Sequence, residues 1–129
     1  MSFKIAIVGA GSVGGYLGGN LALAGEDVTF IARGESLKAL KQGFTMIDPT
    51  GARLAPPVKA AAIDDAGKFD LVFLGLKAQQ IGAVAPHLHR LLKPDTAIVA
   101  AQNGVPWWYF HKSGGAFEGH RIEAVDPGG

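Results

Sequence analysis

A glycine-rich segment near the amino terminus contains residue types that can hold a phosphorylated ligand. Residues 9–14 read Gly-Ala-Gly-Ser-Val-Gly and match the pattern G-x-G-x-x-G. In such a loop the first glycine allows a tight turn, the second lets the backbone approach a pyrophosphate, and the third lets a helix pack on a strand. Because 19 of the 129 residues are glycine, the pattern alone is weak, and its meaning depends on the surrounding elements. The candidate binding residues of the loop are Gly9, Ala10, Gly11, Ser12, Val13 and Gly14.

Two further polar residues follow hydrophobic runs that are typical of strands. Lys77 follows residues 71–76, and Asn103 follows residues 98–101 with only Gln102 between them. In an open parallel sheet a ligand binds outside the carboxyl ends of the strands, where the strand order reverses. We therefore expect Lys77 and Asn103 to lie at the edge that holds the glycine loop. Taken singly, Lys77 also fits a bystander lysine, and the Asn-Gly pair at 103–104 also fits a plain turn.

Arg33 bears on which nucleotide such a site would take. A site for NAD carries an Asp or Glu at the end of the second strand, about 20 residues after the loop, to bind the ribose 2′-hydroxyl. Here the second strand ends near Arg33, and its acids, Glu26 and Asp27, lie at the opposite end. A permanently charged guanidinium fork suits a 2′-phosphate, with Ser36 as a second donor, so the sequence favours NADPH. The alternatives are that Arg33 is a solvated loop residue and that Glu35 binds the ribose.

The elements that must position these residues alternate along the chain. The predicted strands are residues 3–8, 27–32, 58–63, 70–76 and 96–101. The predicted helices are residues 12–24, 35–42 and 78–92, the last interrupted by Pro86, and a small hairpin is predicted within residues 44–54. The glycine loop thus leaves a strand and opens a helix inside a βαβ unit. Repetition of strand, helix and strand requires right-handed crossovers, so the predicted fold class is α/β, a doubly wound parallel sheet of the Rossmann type.

Four glycines lie inside the first predicted helix, where each costs roughly 1 kcal/mol relative to alanine. Gly14 and Gly18 are one turn apart, as are Gly15 and Gly19, so they form two ridges without side chains. We expect close packing against the sheet or another backbone to compensate for this cost. The apolar residues of the same helix form one stripe at helical spacing, Val13, Leu17, Leu21 and Ala24.

Composition and charge argue against several classes of protein. The net charge is +1 without a basic cluster, which disfavours nucleic acid or an anionic membrane as a partner. The chain has no cysteine, and His87 and His89 lack the spacing of a helical metal pair, so we expect no metal. The apolar run after Lys4 stops at Gly9, unlike a signal peptide, and no run of ~20 apolar residues could span a membrane. We therefore expect a soluble, cytoplasmic protein.

Residues 107–129 differ from the rest of the chain. This tail contains five glycines and no periodic pattern. It opens with Trp107-Trp108-Tyr109-Phe110, rings that we expect to pack against a further domain or a partner chain. Because 129 residues fit one domain, we expect residues 1–129 to form one dinucleotide-binding domain whose tail leads to an absent C-terminal domain.

Three segments resemble one family of oxidoreductases. Residues 9–14, the segment Leu-Lys-Ala-Gln-Gln at 76–80 and the segment Gln-Asn-Gly-Val at 102–105 resemble the N-terminal domain of ketopantoate reductases (2-dehydropantoate 2-reductases), over nearly the whole chain. The resemblance implies NADPH-dependent reduction of a 2-oxo acid, 2-dehydropantoate, to pantoate on the route to pantothenate and coenzyme A. It also implies that Arg33 reads the 2′-phosphate, that Gln80 lies near the cofactor, and that Lys77 and Asn103 contact the cofactor as orienting groups.

The resemblance also implies what this stretch of chain leaves out. Family members have a helical second domain that carries the proton-donating lysine and most of the substrate contacts. The general acid cannot be assigned within the 129 residues, so we expect them to bind NADPH without turning over substrate. Two other functions stay open, namely a module that senses NAD(P)H without catalysis and another NADP-dependent 2-oxo-acid reductase. The oligomeric state stays open as well, a homodimer included.

Overall fold

The computed structural model describes residues 3–124, which are built around a five-stranded sheet. The strands are β1 Lys4–Val8, β2 Asp27–Ile31, β3 Met46–Ile47, β4 Arg53–Leu54, β5 Lys59–Ala61, β6 Phe69–Leu74 and β7 Leu92–Ala100. The helices are α1 Ser12–Leu23, α2 Gly34–Gln42 and α3 Ala78–Val84, and a 3₁₀ helix follows over Ala85–Leu91. Residues 1–2 and 125–129, with the predicted end of the tail, lie outside the described residues.

The order of strands in the sheet is β5-β2-β1-β6-β7, and every neighbouring pair is parallel. The chain moves outward from β1 to β2 and β5, then returns to the other side of β1 for β6 and β7. The order of strands therefore reverses between β1 and β6. This confirms the predicted doubly wound sheet of the Rossmann type. Strands β3 and β4 pair antiparallel outside this sheet, as the predicted hairpin.

The bounds of most predicted elements shift by one or more residues, and three of these shifts have consequences for the site. The predicted helix over residues 78–92 becomes α3 and the 3₁₀ helix, because Pro86 has no N–H with which to continue the α-helical hydrogen bonds. Strand β6 ends at Leu74, which leaves Gly75 and Leu76 in the connection to α3. Strand β7 begins at Leu92, earlier than predicted, with an irregular register against β6. None of the helices within residues 3–124 is long and apolar enough to cross a membrane.

Two apolar cores flank the sheet because the side chains of β1 alternate between its faces. Ala6 and Val8 belong to one core, together with residues of β6, α3 and the 3₁₀ helix. Ile5 and Ile7 belong to the other core, together with residues of β2 and α1. Burial on both faces explains why these strands read as continuous hydrophobic runs in the sequence.

Helix α1 packs mainly through its glycines, and of its apolar stripe Leu21 also packs against the core. Val13 of the stripe is 44% exposed. A Cβ at Gly18 would lie 2.7 Å from the Phe30 ring, so the ridge of Gly14 and Gly18 packs on the sheet. A Cβ at Gly19 would lie 2.6 Å from Met46 Sδ, so the second ridge packs on the hairpin segment. This confirms close packing of the two ridges. The buried residues of α1 are Gly14, Gly15, Gly18, Gly19 and Ala22.

The start of α1, the glycine loop and the end of β6 meet backbone to backbone. A Cβ at Gly14 would lie 1.9 Å from the Gly9 carbonyl oxygen, and one at Gly75 would lie 2.9 Å from Gly14 Cα. Gly9 also has a φ of +94°, a conformation that L side chains rarely adopt. A side chain fits at none of these three positions. We refer to Gly9, Gly14 and Gly75 together as the three-glycine contact.

Asp70 of β6 holds together the amino ends of three neighbouring strands. Its carboxylate accepts hydrogen bonds from the backbone N–H of Lys4 (2.8 Å) and from Lys93 Nζ (2.6 Å), so it connects β1, β6 and β7. These hydrogen bonds, that of Lys4 first, lower the pKa of Asp70 below its ordinary value of 3.8. The carboxylate is therefore ionised at neutral pH, and its charge is paired at the edge of the sheet away from the glycine loop.

The described part of the tail, residues 107–124, forms turns without a helix or strand, as predicted. Trp107 packs against the core beside α3, so this ring has packing partners within the described chain that the sequence did not indicate. Tyr109 is exposed, and the Phe110 ring contacts those of Phe117 and His120. Packing of the exposed rings against another domain or chain stays a prediction.

We expect Gly14→Ala to lower the free energy of unfolding by ~1–3 kcal/mol or more, because the added methyl group overpacks a contact between two backbone segments. The matched control is Gly82→Ala in α3, where a Cβ would meet no atom within 4 Å. The same change there should raise the free energy of unfolding by up to ~1 kcal/mol, since alanine is the better helix former. Chemical denaturation followed by circular dichroism measures both variants. Unchanged stability of Gly14→Ala would contradict the three-glycine contact.

Candidate functional site

A cleft of about 1680 Å³, open to solvent, runs along the carboxyl ends of the parallel strands. The residue after each strand of the described sheet lines it, Gly9 after β1, Ala32 after β2, Ala62 after β5, Gly75 after β6 and Ala101 after β7. Its volume exceeds the ~300–1,000 Å³ of pockets for drug-sized ligands. The cleft spans the point at which the order of strands reverses, where open α/β sheets bind their ligands.

Every predicted site residue except Gly14 lines this cleft. Gly14 is buried behind the loop in the three-glycine contact, so its task in this structure is packing. The structure thus brings together residues from four separate segments of the chain, as the sequence predicted for the edge of a parallel sheet. The predicted residues that line the cleft are Gly9, Ala10, Gly11, Ser12, Val13, Arg33, Lys77, Gln80 and Asn103.

The glycine loop presents backbone to the cleft. The Gly9 N–H donates to the Ile31 carbonyl (3.2 Å), and the Gly15 N–H donates to the Gly11 carbonyl (2.7 Å) in the first turn of α1. Gly11 is the N-cap residue, and no side chain within residues 3–124 caps this helix. A Cβ at Gly11 would meet no atom within 4 Å. The unpaired N–H groups and the positive end of the helix dipole therefore face open space, which favours an anion.

Arg33 lies at the cleft just after β2, as the N-cap residue of α2. Its side chain is exposed and belongs to none of the ion pairs among residues 3–124. Ser36 lines the cleft beside it. Glu35, the alternative ribose ligand, does not line the cleft and pairs with Lys38 at 3.5 Å. The geometry therefore favours Arg33 over Glu35 as the residue that meets a ligand at this end of the cleft.

Lys77 is the N-cap residue of helix α3 and lines the cleft. Its backbone N–H donates to Gln80 Oε1 (2.9 Å), and the Gln80 N–H donates to the Lys77 carbonyl (2.9 Å). The Gln80 side chain thus closes the first turn of α3 through its oxygen, and its amide NH₂ group remains available to meet a ligand. The Lys77 side chain is exposed and belongs to none of the ion pairs within residues 3–124.

Asn103 is exposed at the cleft beyond β7, and its neighbour Gln102 connects two strands. Gln102 Nε2 donates to the carbonyl oxygens of Leu74 (3.0 Å) and Leu76 (3.2 Å), so it ties the end of β7 to the connection that leads to Lys77. The sequence alone indicates no role for Gln102 beside Asn103. Its only signal in the sequence is its position at the end of a strand, since a contact between strands leaves no local pattern.

The free charges of the cleft are positive. Asp64 is the only acid among the described residues that line it, and it pairs with Arg90. Arg33 and Lys77, which form no ion pair within the described part of the chain, lie on either side of the glycine loop. Such an arrangement attracts an elongated anion with phosphates. Residues 3–124 contain no group of three or more His, Asp or Glu side chains that could hold a metal ion.

Comparison with known proteins identifies relatives of this chain. Residues 5–106 match the family model described as ketopantoate reductase PanE/ApbA. A 2-dehydropantoate 2-reductase from Mesorhizobium japonicum is 45% identical over 128 residues, which are 98% of this chain and 39% of that protein. A candidate ketopantoate reductase from Ralstonia solanacearum MolK2 is 43% identical in a solved structure, with a TM-score of 0.89 over 99% of this chain and 40% of that one.

A more distant neighbour is the ternary structure of D-mandelate dehydrogenase with NADH and anilino(oxo)acetate. It is 25% identical, with a TM-score of 0.71 over 80% of this chain and 34% of that one.

The match to the family covers most of this chain, but it covers less than half the length of the two relatives named above. The family model includes the glycine loop, Arg33, Lys77 and Asn103. The chain spans 39% of the length of the Mesorhizobium protein and 40% of that of the Ralstonia protein. Both of these relatives also match the tail beyond residue 106, where the family model stops. The glycine loop, the order of strands and the matched residues together show that this chain belongs to the ketopantoate reductase family.

Proposed function

We propose that residues 1–129 are the NADPH-binding domain of an enzyme that reduces 2-dehydropantoate to pantoate. In this reaction a hydride adds to the carbon of the 2-oxo group and a proton adds to its oxygen, which gives the 2-hydroxy acid needed for pantothenate and coenzyme A. The proposal rests above all on Gly11. Its missing side chain leaves the N-terminus of α1 open to the cleft, where a pyrophosphate can approach the backbone.

The residues that line the cleft favour one orientation of a bound dinucleotide along it. Strand β2, which leads to Arg33, lies on one side of β1, and β6 and β7, which lead to Lys77 and Asn103, lie on the other. With the pyrophosphate at the glycine loop, the adenosine half extends towards Arg33 and the nicotinamide half towards Asn103. The guanidinium of Arg33 would bind the 2′-phosphate through charge-assisted hydrogen bonds, with Ser36 as a neutral donor.

Lys77 and Asn103 are proposed as orienting groups at the reacting end. The nicotinamide, when bound, supplies the hydride. The ammonium of Lys77 and the amide of Asn103 can hold a ribose hydroxyl, the nicotinamide ring or the substrate carbonyl in place by hydrogen bonds. Both side chains are exposed at the cleft, so a ligand can reach them without rearrangement of the fold.

The comparisons also support a second substrate class within the same chemistry. D-mandelate dehydrogenase shares the fold at 25% identity, and its structure contains NADH and anilino(oxo)acetate, an N-phenyl monoamide of oxalic acid with the skeleton of an aromatic 2-oxo acid. A reductase of another 2-oxo acid would use the same residues at the cofactor. Assays of 2-dehydropantoate and of aromatic 2-oxo acids with the protein that contains this chain distinguish the two.

We expect Gly11→Ala to weaken NADPH binding at least tenfold with little loss of stability. The added methyl group meets no protein atom within 4 Å, so it occupies space that the pyrophosphate needs. The loss of a glycine N-cap should change the free energy of unfolding by no more than ~1 kcal/mol. Fluorescence titration and thermal unfolding measure the two effects, with Gly82→Ala as the control for binding. Undiminished affinity for NADPH in Gly11→Ala would refute a pyrophosphate at this loop.

Arg33→Ala should weaken NADPH binding by ~10- to 150-fold and leave NADH binding unchanged, because a hydrogen bond to a charged group contributes ~1.5–3 kcal/mol. The comparison of the two cofactors isolates the 2′-phosphate, since NADH lacks only that group. Arg53→Ala is the matched control, because Arg53 is an exposed arginine of β4 that does not line the cleft. An equal loss of affinity for both cofactors, or tighter binding of NADH by the unsubstituted chain, would overturn the assignment of Arg33.

The 129 residues by themselves should bind NADPH without reducing 2-dehydropantoate. They amount to 39% of the length of the Mesorhizobium reductase, and no residue of the described cleft is assigned as the general acid. We therefore expect NADPH fluorescence to report binding while the absorbance of the dihydronicotinamide stays constant in the presence of 2-dehydropantoate. Steady oxidation of NADPH by this chain above the rate without protein would contradict the proposal.

A further inference from the structure

The amide orientation of Gln102 is fixed by its neighbours. Its nitrogen lies 3.0 Å from the Leu74 carbonyl oxygen and 3.2 Å from that of Leu76. Both carbonyls can only accept hydrogen bonds, so the NH₂ group must face them and the side-chain oxygen must face away. A rotated amide would place oxygen against two oxygens. The identity of the remaining atom, Oε1, therefore follows from chemistry.

Gln102 Oε1 is buried and lacks a partner. Among residues 3–124 it is the only buried side-chain nitrogen or oxygen atom without a hydrogen bond. A buried acceptor without a donor is destabilising, and folded proteins pair the great majority of such atoms. The other half of the same amide is fully used, so the side chain cannot turn to satisfy the oxygen without breaking both bonds to β6 and its connection. The donor must come from elsewhere.

The position of Gln102 indicates where the donor comes from. The residue lines the cleft and precedes Asn103 at the end of β7. Neighbouring strands lie ~4.8 Å apart, so β7 is ~10 Å from β1 with its glycine loop and ~14 Å from β2, which leads to Arg33. Gln102 therefore lies on the side of the loop away from Arg33, where the nicotinamide half of the cofactor extends in the proposed function.

We propose that Gln102 Oε1 accepts a hydrogen bond from the nicotinamide half of the bound dinucleotide, from its carboxamide N–H or its ribose hydroxyl. This inference rests on the proposed NADPH site. The same amide then has two tasks, because its NH₂ group also holds the connection before Lys77 against the strand end before Asn103. Gln102 thus adds a contact to the cofactor and positions the two orienting residues relative to each other.

The test compares two ligands in Gln102→Met, which keeps the length of the side chain and removes its hydrogen-bonding groups. NADPH should bind ~5- to 30-fold more weakly, because a hydrogen-bond donor of the ligand loses its buried acceptor on the protein. Adenosine 2′,5′-bisphosphate, which lacks the nicotinamide half, should bind as it does to the unsubstituted chain. Isothermal titration calorimetry measures both affinities without any need for catalysis.

Thr96→Val is the matched control. Thr96 Oγ1 donates to the Phe69 carbonyl (2.5 Å), so it links β7 to β6 at the other end of the same pair of strands. This variant should lower stability and leave both affinities unchanged. If Gln102→Met fails to fold, Gln102→Lys replaces it, since an ammonium can donate to both carbonyls and cannot accept. The loss of affinity should again appear for NADPH and not for the bisphosphate.

The possible outcomes distinguish a failure of this inference from a failure of the proposed function on which it rests. Equal binding of NADPH by Gln102→Met and the unsubstituted chain would overturn the inference, and a buried water would then satisfy Oε1. An equal loss for NADPH and the bisphosphate would overturn it too, because Gln102 would then only support the fold. Failure of the unsubstituted chain to bind either ligand would instead refute the proposed function.

The donor itself can be identified with the 3-acetylpyridine analogue of NADPH, in which a methyl group replaces the carboxamide NH₂. If the unsubstituted chain binds this analogue as weakly as Gln102→Met binds NADPH, the donor is the carboxamide. If the analogue binds as NADPH does and loses affinity in Gln102→Met, the donor is the ribose hydroxyl. Both results support the inference, whereas an analogue unaffected by the substitution and bound as tightly as NADPH would contradict it.

Discussion

The fold of this chain depends on the direct contact between the start of α1 and the backbone of the glycine loop. Gly14 lies so close to the Gly9 carbonyl that one added carbon would come within 1.9 Å of it, and Gly75 closes the contact from the end of β6. This approach sets where α1 begins and how it crosses the sheet. It also fixes the direction of the unpaired N–H groups at the start of the helix. The packing of α1 and the direction of these N–H groups are therefore two consequences of one contact.

The parallel sheet gives the rest of the site its layout. Every strand ends at the same cleft, so residues remote in sequence become neighbours in an order that the topology dictates. Arg33 lies to one side of the loop, and Lys77 and Asn103 lie to the other. The pairing of Asp70 with the Lys93 ammonium confines one negative charge to the amino ends of the strands. The cleft is left with positive charges, a helix N-terminus and amide groups, which are the features expected of a dinucleotide site.

The sequence predicts much of this arrangement because its signals are local. Hydrophobic runs such as residues 27–32 and the glycine pattern at 9–14 each determine their own conformation, and the rule for parallel sheets then places Arg33 and Asn103 at the cleft that they line. What the sequence leaves out depends on contacts between distant segments. Nothing near Gln102 reveals that its amide meets two carbonyls of another strand. Nor does the apolar stripe that includes Val13 reveal that the buried face of α1 is its glycine face, because helical periodicity marks apolar side chains and not their absence.

The glycine ridges of α1 reverse the usual relation between the size of a side chain and the effect of replacing it by alanine. In most helices, mutational scanning to alanine removes atoms, and the largest effects mark the side chains that fill the core. Here four of the five buried positions have no side chain, so the same scan inserts atoms where Phe30 and Met46 already occupy the volume. Variation among natural relatives should accordingly concentrate on the outer face of α1, at positions such as Tyr16 and Asn20. Side chains of other elements fill the space that the glycines of α1 leave open.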